Sequence, residues 1–141
     1  MAMDIENLRR RASLGSSAAQ SVLGAYYLDG VDVEVNYEEA HRLLSAAAKQ
    51  GASRAVFNLA RMYEGGLGVD RDMGKAVQLY HSASSREFLA MIALGRIYSR
   101  GTDLPPDPGE ASRYYSAAID WEAIVGDCEE LREAKAYVGR V

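Results

Sequence analysis

His41 and His81 are the side chains best placed by type to move a proton near neutral pH. A histidine base needs a nucleophile or carboxylate within reach, and a zinc site needs a second histidine or a cysteine at ligand spacing. Neither histidine has such a companion, so both are expected to be solvent-facing or hydrogen-bonded helix residues. The acidic stretch with Asp29, Asp32 and Glu34 lacks the glycine and closing glutamate of a calcium loop and reads as solvated. The glycine-rich string EGGLGVD at 64–70 follows no predicted strand, which a phosphate cradle requires. Serines are plentiful, yet none has a nucleophile-elbow context. Cys128 is alone, so it makes no intrachain disulfide and no cysteine-based zinc site. The run Arg9, Arg10, Arg11 between Leu8 and Leu14 reads as a solvated helix face. These residues predict no catalytic group, no metal and no cofactor.

The bulk properties narrow the class further. A chain of 141 residues, 48% hydrophobic and 26% charged, has one domain's length and an ordinary globular composition. A net charge of −4 argues against nucleic acid, whose binding rests on concentrated Lys and Arg. The longest apolar stretch, FLAMIAL at 88–94, is far short of the ~20 residues of a membrane span. Charges in MAMDIENLRRR fall where a signal peptide needs its apolar region, so a soluble cytoplasmic protein is expected. The oligomeric state is left open.

What positions these side chains is a repeat. LGAYYLDG at 23–30 returns as LARMYEGG at 59–66 and LGRIYSRG at 94–101. Gly30 to Gly66 is 36 residues and Gly66 to Gly101 is 35, and the same offsets link Ala40, Ala76 and Ala111. They also link Asn36, Asp72 and Asp107. Register held at so many positions marks a true internal repeat with one residue deleted before the third unit.

Each repeat reads as two helices. Ala19, Leu23 and Tyr27 are four apart, as are their counterparts, so each set forms one apolar stripe. Gly24, Ala60 and Gly95 lie beside the stripe and admit a close helix, while Gly30, Gly66 and Gly101 suit a left-handed helix end. Asn36, Asp72 and Asp107 are cap-competent for the second helix, with Glu39 and Glu110 placed to complete capping boxes. Val33, Val69 and Leu104 are expected to tuck under the turn, beside Asp32, Gly68 and Asp103, which tolerate positive φ. The predicted helices are 4–14, 17–29, 37–49, 53–64, 73–84, 88–99, 108–120 and 127–138. Residues 1–15 and 121–141 are expected to cap repeats at 16–51, 52–87 and 88–120 within a single domain, 1–141. Trp121, Ile124 and Val125 should cover the open side of the third repeat, and Asp127 with Glu130 should cap the last helix, with Cys128 in its first turn. Tyr27, Tyr63 and Tyr98 should be mostly buried.

The pattern resembles the Sel1-like repeat, a relative of the tetratricopeptide repeat with a longer loop between its helices. Repeat two matches through Gly66, Gly68, Val69, Asp72, Lys75, Ala76, Tyr80 and Ala83, and the likeness covers about residues 18–120. It implies an all-α solenoid of antiparallel helix pairs in a right-handed superhelix. It also implies a protein-interaction scaffold or adaptor rather than an enzyme. The alternative is an inhibitor or immunity-type protein that clamps one toxin or enzyme, with an enzyme as a minor third reading.

Recurring residues are scaffold, so binding is sought where the repeat is free to vary. In tetratricopeptide-like stacks the first helices line the concave wall. At ~100° per residue, Ser21, Ala25 and Leu28 lie opposite the packing stripe of the first helix. Their equivalents are Phe57, Arg61 and Glu64, then Ile92, Arg96 and Ser99, with Arg54 adding to the same field. Arg61 and Arg96 recur one repeat apart and suit a bidentate grip on carboxylates. The expected partner is a protein or peptide offering an acidic or C-terminal carboxylate segment, with no nucleic acid and no membrane.

Overall fold

The structure, a computed structural model, describes residues 4–139. Those residues form α1 (Ile5–Ser13), α2 (Ser17–Asp29), α3 (Tyr37–Lys49), α4 (Ser53–Gly65), α5 (Met73–Ala83), α6 (Phe88–Arg100), α7 (Pro108–Ile119), α8 (Glu122–Val125) and α9 (Glu129–Val138). No strand occurs among them. The architecture is the expected all-α series of helix pairs, with α8 as an unforeseen single turn.

Local chemistry sets the boundaries. Asn36, Asp72 and Asp107 accept from the backbone amides of Glu39, Lys75 and Glu110 at 3.1, 3.0 and 3.1 Å, capping α3, α5 and α7. The reciprocal half of the expected capping boxes is not where Glu39 and Glu110 go. Each turns to an arginine one turn on, Arg42 and Arg113, whose guanidinium offers a charged two-point contact in place of one amide. Gly30, Gly66 and Gly101 close α2, α4 and α6 at φ of 70°, 64° and 64°. In the loops, Asp32 and Gly68 take positive φ as expected and Asp103 does not. Val33, Val69 and Leu104 are half-buried there.

The chain divides into two compact units, Met1–Leu79 and Tyr80–Val141. In the first, α1 and α3 pack on α2 around Leu8, Ala12, Ala19, Leu23 and Leu43. A second cluster gathers Leu28, Leu44, Ala47, Ala55, Leu59 and Met62 where α2, α3 and α4 meet. Gly24 lets α3 approach: a Cβ there would stand 2.7 Å from Leu44 Cγ.

In the second unit, α6 and α7 pair in the same way, and a Cβ on Gly95 would meet the Tyr115 ring at 2.7 Å. The open side of this pair is covered by α9, whose Leu131 and Ala134 are wholly buried beside Met91, Ile92, Tyr115 and Ala118. Of the three residues expected to do this, Trp121 is half-buried against that core. Ile124 and Val125 point outward, because α8 is too short to turn all three inward. Asp127 does not cap α9. It pairs with Arg132, which leaves Cys128 at the cap position with no side-chain bond. Tyr27, Tyr63 and Tyr98 are half-buried rather than buried, because their hydroxyls reach out to polar partners. The buried tyrosines are Tyr80, Tyr114 and Tyr115.

Candidate functional site

The three recurrent tyrosines each meet a basic side chain from the preceding helix. Arg9 Nη2 donates to the Tyr27 hydroxyl at 3.2 Å. His41 Nε2 lies 3.4 Å from Tyr63 Oη, and His81 Nε2 lies 3.3 Å from Tyr98 Oη. His41 and His81 occupy different positions in their own helices, which is why repeat arithmetic does not pair them. They converge because a long imidazole can reach the same tyrosine from either of two turns. His81 also uses Nδ1, 2.7 Å from the Tyr114 hydroxyl, so both ring nitrogens are engaged by phenols. A cation joins two of these groups: Lys75 stands 4.6 Å from the centre of the Tyr63 ring and Arg113 stands 4.5 Å from that of Tyr114. No carboxylate lies on either imidazole within hydrogen-bond reach among the described residues, and no nucleophile is aligned with one. The arrangement anchors helices. The signal in the sequence was the recurring tyrosine, which has a polar tip to satisfy.

The side of the first helices expected to bind a partner is narrower than the helical wheel implies. Ser21, Leu28 and Ile92 are buried and cannot line a surface. Leu28 packs into the core where α2, α3 and α4 meet, and Ile92 into the core under α9. A wheel counts angle alone, whereas each of these helices has neighbours on more than one side. Ala25, Phe57, Arg61, Glu64, Arg96 and Ser99 are half-buried, and Arg54 is exposed.

Both arginines hold carboxylates two-point, and the carboxylates belong to this chain. In the first unit, Arg61 Nη2 and Nη1 contact the two oxygens of Asp29 at 2.9 and 3.3 Å, while Nη1 also donates to the buried Asn58 at 2.9 Å. In the second unit, Arg96 Nε lies 2.9 Å from Glu133 Oε1, and its Nη2 closes on Oε2. Hydrogen bonding from Arg96 holds the Glu133 carboxyl below its ordinary range, against a smaller opposing effect of burial. The Tyr115 hydroxyl donates to the same carboxylate at 3.3 Å, and burial raises that phenol. Ser99 turns back to the Arg96 carbonyl at 3.0 Å. Among the described residues no helix is long and apolar enough to cross a membrane, and no cluster of His, Cys, Asp and Glu has the makings of a metal site.

Comparison with known proteins finds three stretches, 17–51, 53–87 and 89–120, that match the Sel1 repeat. Protein SHC1 of Saccharomyces cerevisiae is 39% identical over 93 residues, 65% of this chain and 18% of that protein. The ERAD-associated E3 ubiquitin-protein ligase component HRD3B of Arabidopsis thaliana is 31% identical over 105 residues, 74% of this chain and 17% of its own. A crystal structure of a Sel1 repeat protein from Oxalobacter formigenes superposes with a TM-score of 0.74 at 32% identity, covering 98% of both chains. The chain therefore spans less than a fifth of these curated relatives and nearly all of the solved one.

Proposed function

Because the chain belongs to the Sel1 repeat family, we propose that it is a protein-binding module that holds acidic side chains of a partner at arginines on the first helix of a repeat. HRD3B, one relative, is by its name a component of a larger assembly. The observation that carries the reading is the pair of partly exposed arginines, Arg61 and Arg96, each already in two-point geometry on a carboxylate. Such a guanidinium can exchange or share its acid with an incoming one, because each internal pair is itself partly solvated. Around Arg61, Phe57 adds half-buried aromatic surface on the same helix, and Arg54 adds a further charge. Arginine is among the residue types enriched where binding energy concentrates at protein interfaces.

The test is fluorescence anisotropy with a labelled peptide rich in Asp and Glu, interrupted by one leucine and amidated at its C-terminus. Binding is expected to weaken as salt rises, and to weaken further in Arg61→Gln and in Phe57→Ala. A peptide with lysines in place of the acids that binds equally well would refute the reading.

A further inference from the structure

We propose that a separate cleft between α1, α2 and α3 binds the C-terminal residue of a partner protein, with an aliphatic side chain inserted and the terminal carboxylate held at the rim. The cleft has a volume of about 260 Å³. Its floor is Ala12, Leu23 and Leu43, all buried, and Arg9, Ser13, Tyr27, Arg42 and one carboxylate, Glu39, which Arg42 already pairs, complete its lining. That volume lies below the ~300–1,000 Å³ of small-molecule sites and suits one anchoring side chain.

The rim keeps unused donors. Arg9 commits Nη1 to Glu6 at 2.8 Å and Nη2 to Tyr27 at 3.2 Å, which leaves Nε. Arg42 commits Nε and Nη2 to Glu39 at 3.1 and 2.7 Å, which leaves Nη1. The Tyr27 hydroxyl accepts from Arg9, and its own proton has no acceptor among the described residues. The lining residues thus keep uncommitted donors, against one carboxylate that is already paired, over an apolar floor of a size for one side chain. An Asp or Glu side chain would bring the charge without an apolar body to fill it, and an internal leucine would bring the body without the charge. A C-terminal aliphatic residue carries both.

The third repeat differs from the first at one position of this lining. Leu43 corresponds to Tyr114, whose ring stacks on Tyr98 with centroids 6.0 Å apart and planes within 5°. There the tyrosine fills the space beside its partner, and Arg113 lies over it. Beside Tyr27 the shorter leucine leaves the space open.

This site uses different helix faces from the first-helix surface proposed above and stands or falls separately. That surface is probed with an amidated peptide, which has no terminal carboxylate. Here the probes are N-acetyl-leucine and N-acetyl-leucinamide, titrated into protein carrying NMR labels on leucine methyls and arginine side chains. N-acetyl-leucine is expected to give saturable shifts at the Leu23 and Leu43 methyls and at Arg9 and Arg42 Nε. The amide should bind about tenfold more weakly, because it forgoes a charge-assisted contact. Arg42→Gln should erase most of that difference. Ser13→Trp, at an exposed lining position, should block both probes without touching the core. Equal binding of acid and amide, shifts at Arg61 or Arg96 alone, or no saturable shift at the cleft would each overturn the proposal.

Discussion

A glycine inside a helix costs roughly 1 kcal/mol relative to alanine, so Gly24→Ala and Gly95→Ala gain that much in propensity. The gain is outweighed, because each new methyl would stand 2.7 Å from a buried side chain, Leu44 or Tyr115. We predict a net loss of about 1–3 kcal/mol in urea unfolding for either variant. Gly74→Ala is the control: its Cβ would have only Asp72 Oδ1 nearby, at 3.5 Å, so it should be neutral or slightly stabilising. If Gly95→Ala unfolds at the parent's midpoint, the close approach of α7 to α6 is wrong. The tyrosines divide similarly. Tyr115, 2% exposed, should cost about 3–5 kcal/mol on truncation to alanine, and half-buried Tyr98 clearly less. The repeat makes the position of Tyr27, Tyr63 and Tyr98 legible but not their depth. Their hydroxyl partners Arg9, His41 and His81 lie 18, 22 and 17 residues away on other helices.

Elements whose signals are local were legible as sequence. Caps and closing glycines lie within a few residues of the ends they fix, so α1 to α7 fall where spacing puts them. Removing one cap, as in Asp107→Ala, should cost about 1 kcal/mol in unfolding free energy. Four residues carry no periodicity, so α8 was invisible. The start of α9 was misread because Arg132, five residues on, captures Asp127. Spacing puts Arg61 and Arg96 at equivalent positions and their chemistry suits carboxylates, but the acids they hold in the structure, Asp29 and Glu133, belong to this chain and lie 32 and 37 residues away in sequence, beyond any local signal. The Arg96–Glu133 pair makes the docking of α9 sensitive to acid. Glu133 titrates lower when folded than when unfolded, so its contribution is complete above the unfolded value and lost as pH falls through the folded one. Fluorescence of Trp121, the single tryptophan, should report loosening of α9 on acidification. Glu133→Gln should lower stability at neutral pH and flatten this acid dependence. An unchanged acid limb would assign it to other carboxylates.

For the molecule as a whole, a net charge of −4 gives no long-range attraction for an acidic partner. The proposed function therefore rests on short-range contacts at named arginines, which sets it apart from general electrostatic adhesion. The recurrent apolar residues are committed to packing: Leu23, Leu59 and Leu94, the small residues beside them, and the alanines that recur in the second helices (Ala40, Ala76, Ala111 and Ala47, Ala83, Ala118) are all buried. The proposed binding positions, Arg61, Arg96 and Phe57, lie off that packed stripe and are only half-buried. The most direct test is a side-chain NMR footprint of the amidated acidic peptide on the whole chain. The account predicts shifts at the Arg61 and Arg96 guanidinium groups and the Phe57 ring, with the imidazoles of His41 and His81 unmoved. Shifts confined to the loops at 30–36 and 66–72, with both guanidinium groups silent, would contradict it.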